Sequence, residues 1–502
     1  MDFGQAYGHL RIIQKGNLLG FLTMLEVRRQ EDEAMRQYAT QPTSIDDAAI
    51  PPRRVWDLYS NRVLPFYAIN EESVQAIAVN LWTVSHSWVI NDARQLLWTP
   101  INSREWPVPI PRDTTLEHVR VELLNLGAEY AWLDVLCLRQ YRGQEHELSR
   151  VGPENIERAL QAQEWVRCEQ LRADEWRLDV PTIGSVYSVQ LPCVTYFNGL
   201  GLPFDPSPAL LSSDRHWLNR VWTLQEGSDE WILGGATGAS SADARDFFAS
   251  HALPALRHRL TEHSAVWAED MRRRHCTTEL DRVHGLAYIF KCGTMPVYDE
   301  GVAPEDAWAM LLQHIPGTAR RDLAARHVQH SPNDTTLFPS WTQFLRWTLP
   351  GDMAPGRHGI ELVGTNRSGA PYPVFYSDIG VDYWGPFHIA RLDCGSSNNS
   401  DELIELRAPD KSHEPYRMTG RVGNALSEGM PYVLVEIHAE AGVWIVAEVK
   451  KERKTFLGRP ALDLVKRGGL LVSGKLRVPL PNGPKFATAV YRCDNPEVQE
   501  TS

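Results

Sequence analysis

An acid and a thiol stand three residues apart, Asp134 and Cys137, in the otherwise apolar run YAWLDVLCLRQ at 130–140, and a histidine, His86, closes a second such run, NLWTVSHSW at 80–88. A cysteine, a histidine and a carboxylate can serve as nucleophile, base and orienter. Cys137, His86 and Asp134 therefore offer a cysteine–histidine hydrolase as one reading. The same three side chains could ligate zinc, but their spacing follows no metal-ligand pattern. Asp and Cys at this separation need not point the same way from a strand or loop, and no oxyanion loop is evident. Each residue also has a plain structural role open to it. Cys137 can be a small core residue. Asp134 can cap a helix or pair with Arg139 or Arg220, since buried acids are normally satisfied locally. Ser85 and His86 can hydrogen-bond at a strand end, and Trp88, Trp132 and Trp222 can simply pack.

The elements that must position these residues alternate along the chain. NLWTVSHSW reads as a strand ending in Ser85 and His86. Leu116, Val119, Leu123 and Leu126 fall at helical spacing over 114–126, with Gly127 as a stop. YAWLDVLC (130–137) reads as a buried strand. Strand, helix, strand at this spacing is a βαβ unit and predicts a parallel sheet with a right-handed crossover. A helix is predicted over 153–171, a third strand over 192–198 and a fourth over 230–235. Between these last two lies the Trp-rich amphipathic segment RHWLNRVWTLQE (215–226). Before the first strand, a helix is predicted over 18–37, and VWDLYSNRVLPFY (55–67) reads as a docked strand or an irregular cap. After about Leu349 the composition shifts. PGDMAPGRHG (350–359) reads as a linker and GSSNNSDE (395–402) as a polar loop. YVLVEIHAEAGVWIVAEVKK (432–451) alternates around a turn and predicts a hairpin. GLLVSGKLRVPL (469–480) predicts a further strand pair.

Of the 502 residues, 43% are hydrophobic and 23% charged, the balance of an ordinary globular protein able to bury a sizeable core. The net charge of −12 argues against nucleic acid or an anionic membrane as the main partner. The 7 cysteines are an odd number, widely spaced and without a C-x-x-C pair, as expected for reduced thiols in the cytoplasm or nucleus. No signal peptide and no apolar run of membrane-spanning length is visible.

Four segments in order, TVSHSW (83–88), YAWLDVLCLRQ (130–140), SVYSVQLPCVTYF (185–197) and RVWTLQE (220–226), together resemble the heterokaryon-incompatibility (HET) domain of fungi. TTELDRVHGLAYIF (277–290) and FPSWTQF (338–344) are similar to two later stretches of that family, so the resemblance spans about 80–345. Val89 stands where the family usually has Gly, Leu138 where Ile is common, and Arg139 where an acid is common. The resemblance implies a TIR-like, flavodoxin-like α/β domain acting in non-self recognition and programmed cell death through a protein partner or self-association. Because enzymatic TIR domains cleave NAD using a glutamate, it also implies Glu226 as a candidate catalytic residue, beside Asp134 and His86. Glu226 would bind a ribose hydroxyl or stabilise an oxocarbenium-like centre as nicotinamide leaves. Ser85, Trp88, Cys137, Gln140, Arg220, Trp222 and Gln225 complete the motif as ligand-binding or structural residues, the two glutamines as backbone-bonding groups that fix loops. Neither a metal nor a resident cofactor is expected. The expected division is an N-terminal helical or irregular segment at 1–50, a HET domain at 51–347 with its motif core at 80–235, and a β-rich region at 348–502.

Overall fold

In the computed structural model, three strands with almost every side chain buried form the middle of a sheet. The structure describes Gly4 and residues 18–69, 80–88, 93–141, 156–188, 191–226, 231–235, 246–252, 264–316, 319–320, 323 and 338–346, and strands beyond 357. Val89, 350–357, 395–401 and 473–480 lie outside the described residues. The chain divides into two units, Met1–Thr261 with Asp270–Ile315, and Glu262–Glu269 with Pro316–Ser502.

In the first unit, helix α1 (Leu18–Ala39) precedes a hairpin of β1 (Arg54–Asp57) and β2 (Arg62–Pro65). The sheet continues with β3 (Leu81–His86), β4 (Tyr130–Trp132), β5 (Cys193–Tyr196) and β6 (Trp231–Leu233). Between β3 and β4 runs α2 (Leu116–Leu126). Between β4 and β5 run the single turn α3 (Asp134–Cys137), the long α4 (Ile156–Asp179) and α5 (Ile183–Ser188). The turn α6 (Thr223–Glu226) precedes β6.

The six strands lie in the order β2-β1-β4-β3-β5-β6. The pairs β4–β3, β3–β5 and β5–β6 are parallel, and the β1–β2 hairpin joins β4 antiparallel. Parallel strands covered on both faces read as continuous apolar runs. That is why all of β4 and β5, and all of β3 but Trp82, are buried. α2 forms where the spacing predicts it. Thr115 accepts a hydrogen bond from the His118 N–H at its start, and Gly127, at φ 97°, closes it in the left-handed conformation that glycine adopts without strain. Leu116, Val119 and Leu123 are buried as expected, whereas Leu126 is 39% exposed and belongs to the solvent face.

The strand predicted over 130–137 is only 3 residues long. It ends at Trp132, and Asp134 to Cys137 turn into helix instead. A short apolar run suits a buried strand and a buried helical turn equally, so periodicity alone does not separate them. The 55–67 segment is a true hairpin, with Trp56 paired to Val63.

The connections out of β3 run to β4 on one side and, later, to β5 on the other. Strand order therefore reverses at β3, and in doubly wound sheets ligands bind outside the carboxyl ends of the strands at that point. Ser85 and His86 end β3 there.

The second unit carries a ten-stranded sheet, mostly antiparallel. Pro431–His438 and Val443–Lys454 make the expected hairpin. Of the strand pair expected over 469–480, the described part, 469–472, is the end of one strand, Pro460–Val472. That strand pairs along Val443–Lys454 and also with Tyr416–Val422, so that seven of the ten strands close into a ring.

Candidate functional site

β3 places neighbouring side chains on opposite faces of the sheet, and each of its last two residues is tied to one acid. The Ser85 hydroxyl donates to Glu226 Oε2 at 2.6 Å. His86 Nε2 lies 2.8 Å from Asp134 Oδ1. Because Asp134 opens the helical turn α3, its carboxylate also accepts from the Val135 N–H at 2.6 Å and from the Trp88 indole at 2.6 Å.

His86 meets an acceptor at both ring nitrogens, since Nδ1 lies 3.2 Å from the Ser87 carbonyl. A neutral imidazole has one donor and one acceptor nitrogen, so only the imidazolium satisfies both contacts. The electrostatics agree. Burial opposes the charge, but the Asp134 carboxylate outweighs it and Glu226 adds to it, which raises the His86 pKa. Burial likewise works against ionised Asp134, yet His86 and the Trp88 donor hold its pKa below the ordinary carboxylate value. Both shifts favour the ion pair, in which Asp134 engages Nε2 and the Ser87 carbonyl faces Nδ1.

Glu226 is set by a different chain of donors. Trp217 Nε1 donates to Ser85 Oγ at 2.6 Å. An indole N–H only donates, so it occupies a lone pair of the serine and directs the hydroxyl hydrogen to Glu226. Ser85→Ala would leave the buried indole and carboxylate without that link. The expected cost is about 1–3 kcal/mol, read as a lower midpoint in chemical denaturation. An unchanged midpoint would show that the link contributes nothing.

Both acids border one cavity of about 980 Å³. Of the residues singled out in the sequence, Trp88, Asp134, Gln140, Arg220, Trp222 and Glu226 line it. Ser85 and His86 sit behind this wall, bonded to the two acids. Gln140 donates to the Asp134 and Leu138 carbonyls and so fixes the loop after α3. Gln225 is elsewhere, donating to the His284 carbonyl.

Cys137 does not join the site. Its thiol is buried, contacts the Ala131 carbonyl and is pushed up to about 12 by burial. The thiol that a cysteine hydrolase would use therefore does not line the cavity. Among the described residues no group of three or more His, Cys, Asp or Glu could hold a metal ion.

Several lining residues carry no local sequence signal. Trp176 of α4 and Tyr298 meet edge to face across 6.0 Å. Arg94 rises from the hairpin of Arg94–Leu97 and Val108–Pro111, with its guanidinium 5.7 Å from the centre of the Trp88 ring. Asp281 was detectable as the third helical residue after Thr278, where the two form a capping box.

The chain matches no protein-family model, no curated protein and no solved structure. Among the described residues no helix is long and apolar enough to cross a membrane.

Proposed function

We propose that the first unit is a HET-type signalling domain with TIR-like architecture, and that its cavity binds a nicotinamide nucleotide and cleaves it. The implied role is in non-self recognition and programmed cell death. One observation carries the reading: Glu226 lines a formed cavity at the carboxyl ends of the parallel strands, where the strand order reverses. The flavodoxin-like order of those strands supports the TIR-like assignment.

The Glu226 carboxylate would accept a ribose hydroxyl or face the positive charge that builds at the anomeric carbon as the nicotinamide bond breaks. Water completes the reaction, giving nicotinamide, the remaining ADP-ribose and a proton. The Asp134–His86 pair would act as a fixed wall, with Trp88 held against it. Nicotinamide release by the purified full chain, wild type beside Glu226→Gln over a concentration series, tests this. Release that is lost in the variant alone is expected. Release that survives the substitution removes Glu226 from the chemistry.

A second reading has its own observation. The hairpin beside the cavity exposes Leu96, Leu97 and the following Trp98, at 52%, 37% and 48%. An exposed apolar patch marks contact surfaces, and the domain would then signal by self-association with no turnover. Sedimentation of the wild type against Trp98→Glu distinguishes it: loss of a concentration-dependent assembly supports it, and a monomer at all concentrations removes it.

A further inference from the structure

Arg220 occupies an unusual position among the cavity's charges. Its backbone is firmly held: the N–H donates to the Trp217 carbonyl, and its own carbonyl accepts from the Thr223 hydroxyl and from Arg274, both at 2.8 Å. Its guanidinium, by contrast, has neither a hydrogen-bond acceptor nor an ion-pair partner among the described residues, although it lines the cavity. The nearby acids are committed elsewhere. Asp281 accepts from the Thr278 N–H and the Tyr298 hydroxyl, and Asp214 pairs with His275. A second cation, Arg94, borders the same cavity close enough to repel Arg220, and burial lowers the pKa of both.

Arg172, also on the cavity wall, shows the ordinary arrangement. It meets Glu169 at 2.8 Å and Glu300 at 2.7 Å, and lies 4.4 Å from the centre of the Trp176 ring. Bringing two guanidinium groups together while one lacks a counter-ion costs stability, and such local conflicts concentrate where a ligand resolves them. The guanidinium fork matches phosphate oxygens two at a time. Two cations are balanced by a dianion better than by a single carboxylate.

We propose that Arg220, with Arg94 beside it, forms a phosphate subsite in the cavity that also holds Glu226, so that the ligand is a nucleoside phosphate gripped by its phosphate at one place and its sugar at the other. The sugar contact rests on the nucleotide reading above; the phosphate contact does not. Pyrophosphate carries the dianionic groups without sugar or base and therefore probes the subsite alone.

Calorimetric titration of the full chain with inorganic pyrophosphate tests this, using wild type, Arg220→Gln, Arg220→Lys and Glu226→Gln, each first checked for folding by circular dichroism. Wild type is expected to bind. Arg220→Gln should weaken binding roughly 10–100-fold, the loss of one charge-assisted pair. Arg220→Lys should fall between the two, and Glu226→Gln should bind at least as well as wild type. A measurement on unaltered protein guards against misfolding of the variants: phenylglyoxal modification of Arg220, followed by mass spectrometry, should slow when pyrophosphate is present. Absence of pyrophosphate binding, equal binding by Arg220→Gln, or no protection of Arg220 would overturn the subsite. Pyrophosphate binding without nicotinamide release would support the subsite and discard NAD cleavage. Nicotinamide release with Arg220 unprotected would do the reverse.

Discussion

Asp179→Ala is expected to destabilise the first unit by about 3–5 kcal/mol, because it strands buried positive charge. Asp179 ends α4, and its side chain is 5% exposed. It receives Arg53 through two contacts, at 2.7 and 3.0 Å, and Arg36 of α1 at 3.6 Å. One turn earlier on α4, Glu175 receives Arg54 at 2.5 and 2.9 Å. Two acids in the last two turns of a helix oppose its dipole, so these arginines are what makes the arrangement tolerable. Contact length alone does not predict such an effect. Arg29 and Glu26 approach to 2.6 Å on the exposed face of α1, and Glu26→Ala should change stability little, because water and salt already screen that pair. Burial works against ionised Asp179, but Arg53 and Arg36 hold its pKa below the ordinary carboxylate value. A depressed pKa gives stability that is present at neutral pH and lost as the pH falls through the folded value. The difference between wild type and variant in denaturant titrations should therefore be full at pH 7 and shrink below about pH 4. Equal midpoints at pH 7 would show that the cluster is energetically idle.

Asp134→Asn is expected to move the His86 titration from above the ordinary imidazole value to below it. The internal comparison is with His216 and His284, which are buried with no paired carboxylate among the described residues and are pushed down to about 4. His86 is equally buried but sits on Asp134. Remove that charge and burial is left to dominate, moderated by Glu226. The pair also sets a pH window. Its contribution is lost on the acid side as the pH falls through the lowered pKa of Asp134, and on the alkaline side as it rises through the raised pKa of His86. Between about pH 4 and 6.5 it is complete, and there the substitution should cost about 3 kcal/mol. Histidine side-chain NMR over pH 4–9 reads the titration directly. A wild-type His86 that titrates below 6.5, or one unmoved by the substitution, would disprove the ionic assignment.

The parallel sheet was legible from the sequence because β3, α2 and β4 each carry a complete local signal: an apolar run, a helical period with a glycine stop, and a second apolar run. Ser85, His86, Asp134 and Glu226 were legible through the segments that hold them. Their pairing was not. Nothing local says that Ser85 serves Glu226 while His86 serves Asp134; that follows from the alternation of β3 once its neighbours are in place. The helical turn at Asp134 was hidden because Val135, Leu136 and Cys137 suit a buried strand equally well. The wall formed by Arg94, Trp176, Asp281 and Tyr298 gathers residues more than 200 positions apart, and only the folded chain joins them. Arg220 lay inside a quoted motif, but its lack of a counter-ion is a property of its surroundings and cannot be read from its spacing.

The ring in the second unit bears on how that unit meets other chains. A strand with a bare row of N–H and C=O groups invites a foreign strand to extend the sheet, and long, flat edges are where proteins polymerise. Here seven strands leave no terminus to the pairing, and the remaining three run outward from Pro460–Val472 to Phe375–Ser377, a strand of 3 residues. Among the described strands, the open end of the pairing order is therefore a strand of 3 residues, which gives a foreign strand little length to extend.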